Sequence, residues 1–334
     1  MTEQWNGIVT RATLNERGIV PRFASATSPD IVLAGASPFP DPGFLTDPGN
    51  YGTVYDNGLY IGRPNYFYVR GKNGTPDALS GRWSLFWATP NILLYPYLWE
   101  NNGLATSEGN QFPGFEIGPG AIGAMSDPFS WVPRDYANHY CLIAIAETPG
   151  HGNPLRGIRD IERLAEAQSL NANIAQRNVH PIRGKMPQVV FQSDYDQGDA
   201  AALVDLSVKF ENIPKGSSYT ISSARPLNGQ VLSHRDANTI NNNFTYAWAD
   251  LEIPARWDTA LTCAITFGSN WSGIPEGQKP KVTIRADLIL GSRDRLYDLA
   301  YELAWDAREA PSRAGDRVGL TAGSFGIICP DMGP

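Results

Sequence analysis

The chain has 334 residues, enough for two domains of ordinary size, and its 42 % hydrophobic and 18 % charged residues exclude wholesale disorder. A formal charge of −7 and a pI near 5.2, with no run of Lys and Arg interleaved with aromatics, exclude an electrostatic nucleic-acid footprint. The 33 glycines, 26 prolines, 14 Tyr, 13 Phe and 9 Trp favour many short strands joined by turns over a helical bundle.

The first residues carry neither a basic segment nor an apolar stretch of the kind that makes a Sec signal. The expected location is therefore cytoplasmic, or exported without a Sec signal. No run of about 18 apolar residues occurs, so no membrane-spanning helix is expected. Weak strand signals cover residues 7–12 and 28–34, followed by a stretch rich in Pro, Gly and Asp. The strongest local signal is residues 65–88. Tyr66, Tyr68 and Arg70 alternate with Phe67 and Val69, Asn73 and Gly74 open a turn, and Trp83, Leu85 and Trp87 alternate with Ser84 and Phe86. Period-two aromatic and β-branched runs around a Gly/Asn/Pro turn predict an antiparallel pair. A Tyr/Pro-rich loop runs through Trp99, a short segment starts at Phe115, and residues 140–146 form an apolar run suited to a central strand.

Apolar residues at 158, 161, 164, 165, 167 and 170 then step by threes and fours, predicting one short helix over about 158–170. Pro and Gly in residues 180–187 mark the domain boundary, dividing the chain into 1–182 and 188–334. Further strand signals begin at residues 188, 202, 219, 244, 260 and 281 and make a second sandwich. Residues 294–308 read equally as helix or strand, and 319–329 as a last short strand.

Four elements in order carry a resemblance: Ser28-Pro-Asp-Ile, then Asn65-Tyr-Phe-Tyr-Val-Arg with Leu85-Phe-Trp-Ala, then Phe129-Ser-Trp-Val-Pro with His139-Tyr-Cys-Leu-Ile-Ala, and finally residues 171–178. Over about residues 28–180 the chain resembles the bacterial immunoglobulin-like modules related to the cell-adhesion-type domain. The resemblance implies a β-sandwich whose closing strand follows the helix, over about 173–179, and leaves activity open, because such modules serve binding, spacing and assembly alike. The expected fold class is all-β: two immunoglobulin-like antiparallel β-sandwich domains with a short helix near the junction.

Chemistry-bearing motifs are sparse. Gly118-Pro-Gly-Ala-Ile-Gly123 spells G-x-G-x-x-G, but a dinucleotide site needs a strand before it and a helix after it, so a loop is expected. Asp194, Asp196 and Asp199, followed by Asp205, make a weak calcium candidate, with Gly198 one position early for an EF-hand loop. His139, His151, His180 and His234 follow no zinc or hydrolase spacing, and Cys141, Cys263 and Cys329 are odd in number and far apart. Asn73, Asn243 and Asn270 sit in sequons expected to be coincidental. No cofactor is expected.

Tyr95, Tyr97, Trp99 and Phe112, flanked by Pro, Asn and Gly, form the candidate binding residues, because rings on such loops anchor partners or stack on sugars. The expected function is a non-catalytic structural or binding component acting through protein–protein contact or self-association, within a larger bacterial assembly or toxin-like complex. The alternatives are a carbohydrate-binding module and a hydrolase with a loop-borne site.

Overall fold

The computed structural model describes residues 2–134, 139–181, 188–236, 241–275, 277–306 and 317–329. The first half supplies β1 (Glu3–Gln4), β2 (Ile8–Val9), β3 (Ile19–Val20), β4 (Ile31–Gly35), β5 (Asn65–Asn73), β6 (Leu79–Ala88), β7 (Ala105–Thr106), β8 (Gly114–Ile117), β9 (Ile122–Ala124), β10 (Phe129–Trp131), β11 (Tyr140–Glu147), α1 (Ile161–Leu170) and β12 (Ile174–Val179). The second half supplies β13 (Gln188–Asp196), β14 (Ala202–Glu211), β15 (Ser218–Ser223), β16 (Ser233–Asp236), β17 (Phe244–Ile253), β18 (Asp258–Thr266), β19 (Lys281–Gly291), α2 (Tyr297–Asp306) and β20 (Arg317–Ile328). The fold is all-β, as the alternating patterns require.

One sheet of the first half runs β2-β5-β10-β7 with β4 and β9 also on β5; its partner runs β12-β11-β6-β8. The second half pairs β13-β18-β15-β16 with β17-β14-β19-β20. The predicted hairpin is β5 and β6, but the two strands do not pair with each other: β5 joins one sheet and β6 the other. The turn at Asn73 therefore crosses between layers. Its side-chain amide donates to the carbonyls of Asp77 and Ile117, holding the crossing in place.

The unbroken apolar run of β11 has a plain cause. Leu142, Ala144 and Ala146 enter the core between the sheets of the first half, while Cys141, Ile143 and Ile145 face a second core shared with α1 and the second half. A strand buried on both faces has no polar position to alternate with. That second core is continuous from Phe86 and Trp99 through Ile161 and Leu164 to Phe191, Phe210, Ile284 and Phe325. The apolar interior thus does not divide where the sheets do. The boundary predicted at 180–187 falls largely on residues 182–187, outside the described residues.

α1 begins at Ile161 rather than 158 because Asp160 caps it, accepting from the Arg163 amide at 2.9 Å. Residues 294–308, open between helix and strand in the sequence, contain α2.

The Pro/Gly/Asp-rich connection between β4 and β5 is held by buried arginines. Asp30, with no solvent exposure, accepts from Arg11 at 2.6 Å and Arg70 at 3.1 Å. Arg70 also donates to the carbonyl of Thr53, and Arg177 to those of Ile31 and Tyr55. The guanidinium forks bond carbonyls of the connection and of β4, and the paired charges stay compensated.

Candidate functional site

The second sandwich has two lateral edges, and they are treated differently. On one side β13 ends a sheet, and the segment 90–99 of the first half caps it at Asp194. The Ile92 amide donates to the Asp194 carbonyl at 2.9 Å, and the Asp194 amide donates to the Pro90 carbonyl at 3.0 Å. Leu93 and Tyr95 have no exposed surface, and Ile92, Leu94 and Trp99 have 1 % each. Tyr95 donates its hydroxyl to the Gln197 carbonyl at 2.9 Å, and Trp99 donates its indole N–H to the Leu94 carbonyl at 3.0 Å. Burial raises the Tyr95 phenol far above its ordinary value, so it stays a neutral donor.

Two glycines make this closure possible. A Cβ at Gly323 of β20 would lie 2.1 Å from the Ile92 carbonyl oxygen. Gly198, at φ +76°, would press a Cβ to 2.3 Å from the Arg159 carbonyl oxygen and 2.9 Å from the Tyr95 ring. Neither site admits a side chain without displacing backbone.

This placement corrects the expectation that the rings at 95 and 99 stand out on a loop. Tyr95 and Trp99 are core residues. Tyr97 is half-buried, stacked on Tyr95 with ring centroids 5.5 Å apart, and donates to Asp196 at 2.5 Å. Phe112 is 44 % exposed, with the Arg82 guanidinium 5.0 Å from its ring centre. The four residues therefore do not form one surface. The signal misread was Pro90, Asn91 and Pro96: they break strand regularity, yet Pro96 merely starts a 3-10 turn over Pro96–Leu98 in packed surroundings.

The three aspartates are likewise dispersed among partners. Asp196 accepts from Tyr97 and from the Gly198 amide, while Asp199 pairs with Arg256 at 3.4 Å. Partial burial raises the Asp194 carboxyl above its ordinary value. Asp205 lies in β14, where it accepts from the Asp250 amide at 2.8 Å. Among the described residues no group of three or more His, Cys, Asp or Glu is gathered as a metal site. Residues 118–121 form the turn from β8 to β9. All three cysteines are buried thiols, and burial raises Cys141 and Cys329 to about 12.

A groove of about 730 Å³ follows α1, lined by Pro154, Glu162, Glu166, Leu170 and Arg295 among others. Arg295, from the second half, pairs with Glu162 at 3.0 Å and with Glu166 at 2.5 Å. The hydrogen bond from Arg295 lowers the Glu166 carboxyl below its ordinary value. A carboxylate held ionised in this way is a clamp between halves rather than a proton donor.

The opposite edge of the second sandwich is open among the described residues. β17 pairs with β14 alone among the described strands. Its inward residues Phe244, Tyr246 and Trp248 are half-buried, and its outward residues Thr245, Ala247 and Ala249 are exposed. His234 of β16 stacks on Tyr246 at 3.6 Å and 10°, and Tyr246 meets Trp248 edge-on at 5.1 Å. Behind them Phe244 stacks on Phe210 at 4.5 Å, next to Tyr219. The mouth between the two sheets is thus lined by rings that remain partly in water. In sequence this segment reads as an ordinary strand; the signal available was a run from Phe244 to Ala249 with no charge and no proline.

No protein family matches this chain, and no curated protein does so. Among solved structures it is similar to red sea bream transglutaminase, at 9 % identity over 78 % of this chain and 29 % of that one, with a TM-score of 0.21. It is similar to an allantoicase at 11 % identity, over 61 % of this chain and 78 % of that one, with a TM-score of 0.19. The collagen adhesin of S. aureus gives 9 % identity, 83 % and 93 % coverage and a TM-score of 0.18. The chain spans under a third of the transglutaminase, and likenesses at these scores carry no argument about function.

Proposed function

We propose that this chain is a non-catalytic structural or binding component that works through protein–protein contact within a larger assembly. The observation that supports this most is the edge strand: among the described strands β17 pairs on one side alone, and over Phe244 to Trp248 it is backed by half-exposed Phe, Tyr, Trp and His rings. Rings rimmed by polar residues dominate contact energetics, and a free strand edge is a template for another chain. The first half is read as an immunoglobulin-like module of the cell-adhesion type, supported by its two antiparallel sheets and the order of its motifs. The carbohydrate alternative drew on the rings at 95, 97, 99 and 112, and with Tyr95 and Trp99 buried these four offer it no common surface.

Sedimentation equilibrium over a wide concentration range tests the contact reading in its self-associating form. The expected result is a mass above that of one 36.5 kDa chain, falling on dilution. A single-chain mass at every concentration would contradict it.

A further inference from the structure

We infer that the occupant of the open edge is a second copy of this chain, paired antiparallel to β17 about a two-fold axis through Tyr246. This inference rests on the contact reading above and names its partner.

The sequence of the edge is self-complementary in that register. Phe244 lies opposite Trp248 of the second copy, Thr245 opposite Ala247, and Tyr246 opposite its own equivalent. Aromatic meets aromatic on the inward face, and small residue meets small residue on the outward face. Those are the cross-strand combinations that stabilise an antiparallel pair. One more step places Asn243 opposite Ala249, so no charge meets a like charge. On a molecule carrying −7 overall, an uncharged edge is where two copies approach with least repulsion.

The length of the edge is set by the strand itself. Pairing of β14 with β17 shifts register between Val204 and Leu206, and Asp250 takes φ +55° there with its amide turned to Asp205. This bulge ends the flat stretch just beyond Ala249. Bulges, lysines and prolines are the usual protections of an edge, and here only the bulge is present, at one end. The other sheet ends differ. β13 is capped at Asp194 by the 90–99 segment, β20 is packed against α1, α2 and β12, and β16 carries Arg235 and Asp236. An isologous pair through β17 also closes on itself, so the assembly stops at two copies through this contact.

Charge exchange on the outward face tests both the edge and the register. Thr245 lies beside Lys209 on β14, so Thr245→Glu is tolerated within one chain. The variant Thr245→Glu/Ala247→Glu sets Glu opposite Glu twice across the two-fold axis. It is expected to weaken the dimer by at least about tenfold, roughly 1.4 kcal/mol, with the urea midpoint of the single chain unchanged. The variant Thr245→Glu/Ala247→Lys sets Glu opposite Lys twice and is expected to restore the mass of two chains. Association that survives the first variant would overturn the inference while leaving contact through another surface. Loss of association in both variants would overturn the register. A wild-type chain that never associates would overturn the inference together with the reading on which it rests.

Discussion

The plugged edge at β13 and the open edge at β17 pose the same physical problem with opposite solutions. Both border the core of the second sandwich, and both are flanked by aromatic segments. At β13 Tyr95 and Trp99 arrive from the first half of the chain on a segment that bonds the Asp194 backbone, and both leave water. At β17 the rings belong to the strand itself, and no described strand covers its backbone. Aromatic density therefore does not distinguish packing from contact. What distinguishes them is whether another segment has satisfied the edge.

The largest expected effect comes from emptying the plug. Trp99→Ala should lower stability by roughly 3–5 kcal/mol, the cost of a cavity at a buried ring, measured by urea unfolding. It should leave association per folded molecule unchanged, and a loss under about 1 kcal/mol would place the ring outside the core. Wedging the plug is the next test. Gly323→Ala puts a methyl against the Ile92 carbonyl and should cost roughly 1–3 kcal/mol through overpacking. An unchanged unfolding midpoint would show that the 90–99 segment sits away from β20.

On the open side, Tyr246→Ala removes a ring that is only half-buried but stacked on His234. Single-chain stability should fall by about 0.5–1.5 kcal/mol, the range for an aromatic pair, while association is lost. A cost as large as that of Trp99→Ala would make the two edges alike. The inter-half clamp should matter less. Arg295→Ala breaks largely exposed pairs and should cost under about 1 kcal/mol, shrinking further in high salt. A larger, salt-independent loss would mean that the clamp positions the plug.

The smallest effect is a pH dependence near the amino terminus. Partial burial lowers the His151 imidazole below its ordinary 6.5, and its ring lies 4.4 Å from that of Trp5. Between the lowered folded value and 6.5 the unfolded chain binds more protons, so stability falls as pH drops through that window. Tm should therefore decline on mild acidification, less steeply in His151→Gln. Equal slopes would remove His151 as the cause.

Much of the fold is legible in the sequence because it is written in local periods. The alternation at 65–71 and 82–88, the double-faced apolar run at 140–146 and the steps of three and four before Leu170 each mark the right element. Pairing partners are not local. Nothing in residues 65–88 says that β5 and β6 enter different sheets, since a long turn and a layer crossing share the same Asn, Gly and Pro. Site residues are legible to a lesser degree for the same reason. Tyr95 and Trp99 sit among Pro and Asn and read as loop, yet both are buried, Tyr95 bonding Gln197 102 residues on and Trp99 packing against Phe86 of β6. Tyr246 and Trp248 read as part of an ordinary strand, because alternation records which face is apolar and not whether a neighbour covers the edge.

Hydrogen–deuterium exchange of the full chain at low and high protein concentration compares the two edges in one experiment. Amides at residues 92–99 should exchange slowly at both concentrations. Amides at 244–248 that lie on the free side of β17 should exchange quickly when dilute and slow when concentrated. Exchange at 244–248 that ignores concentration while particle mass rises, or rapid exchange at 92–99, would contradict the division of the sandwich into a plugged edge and an open one.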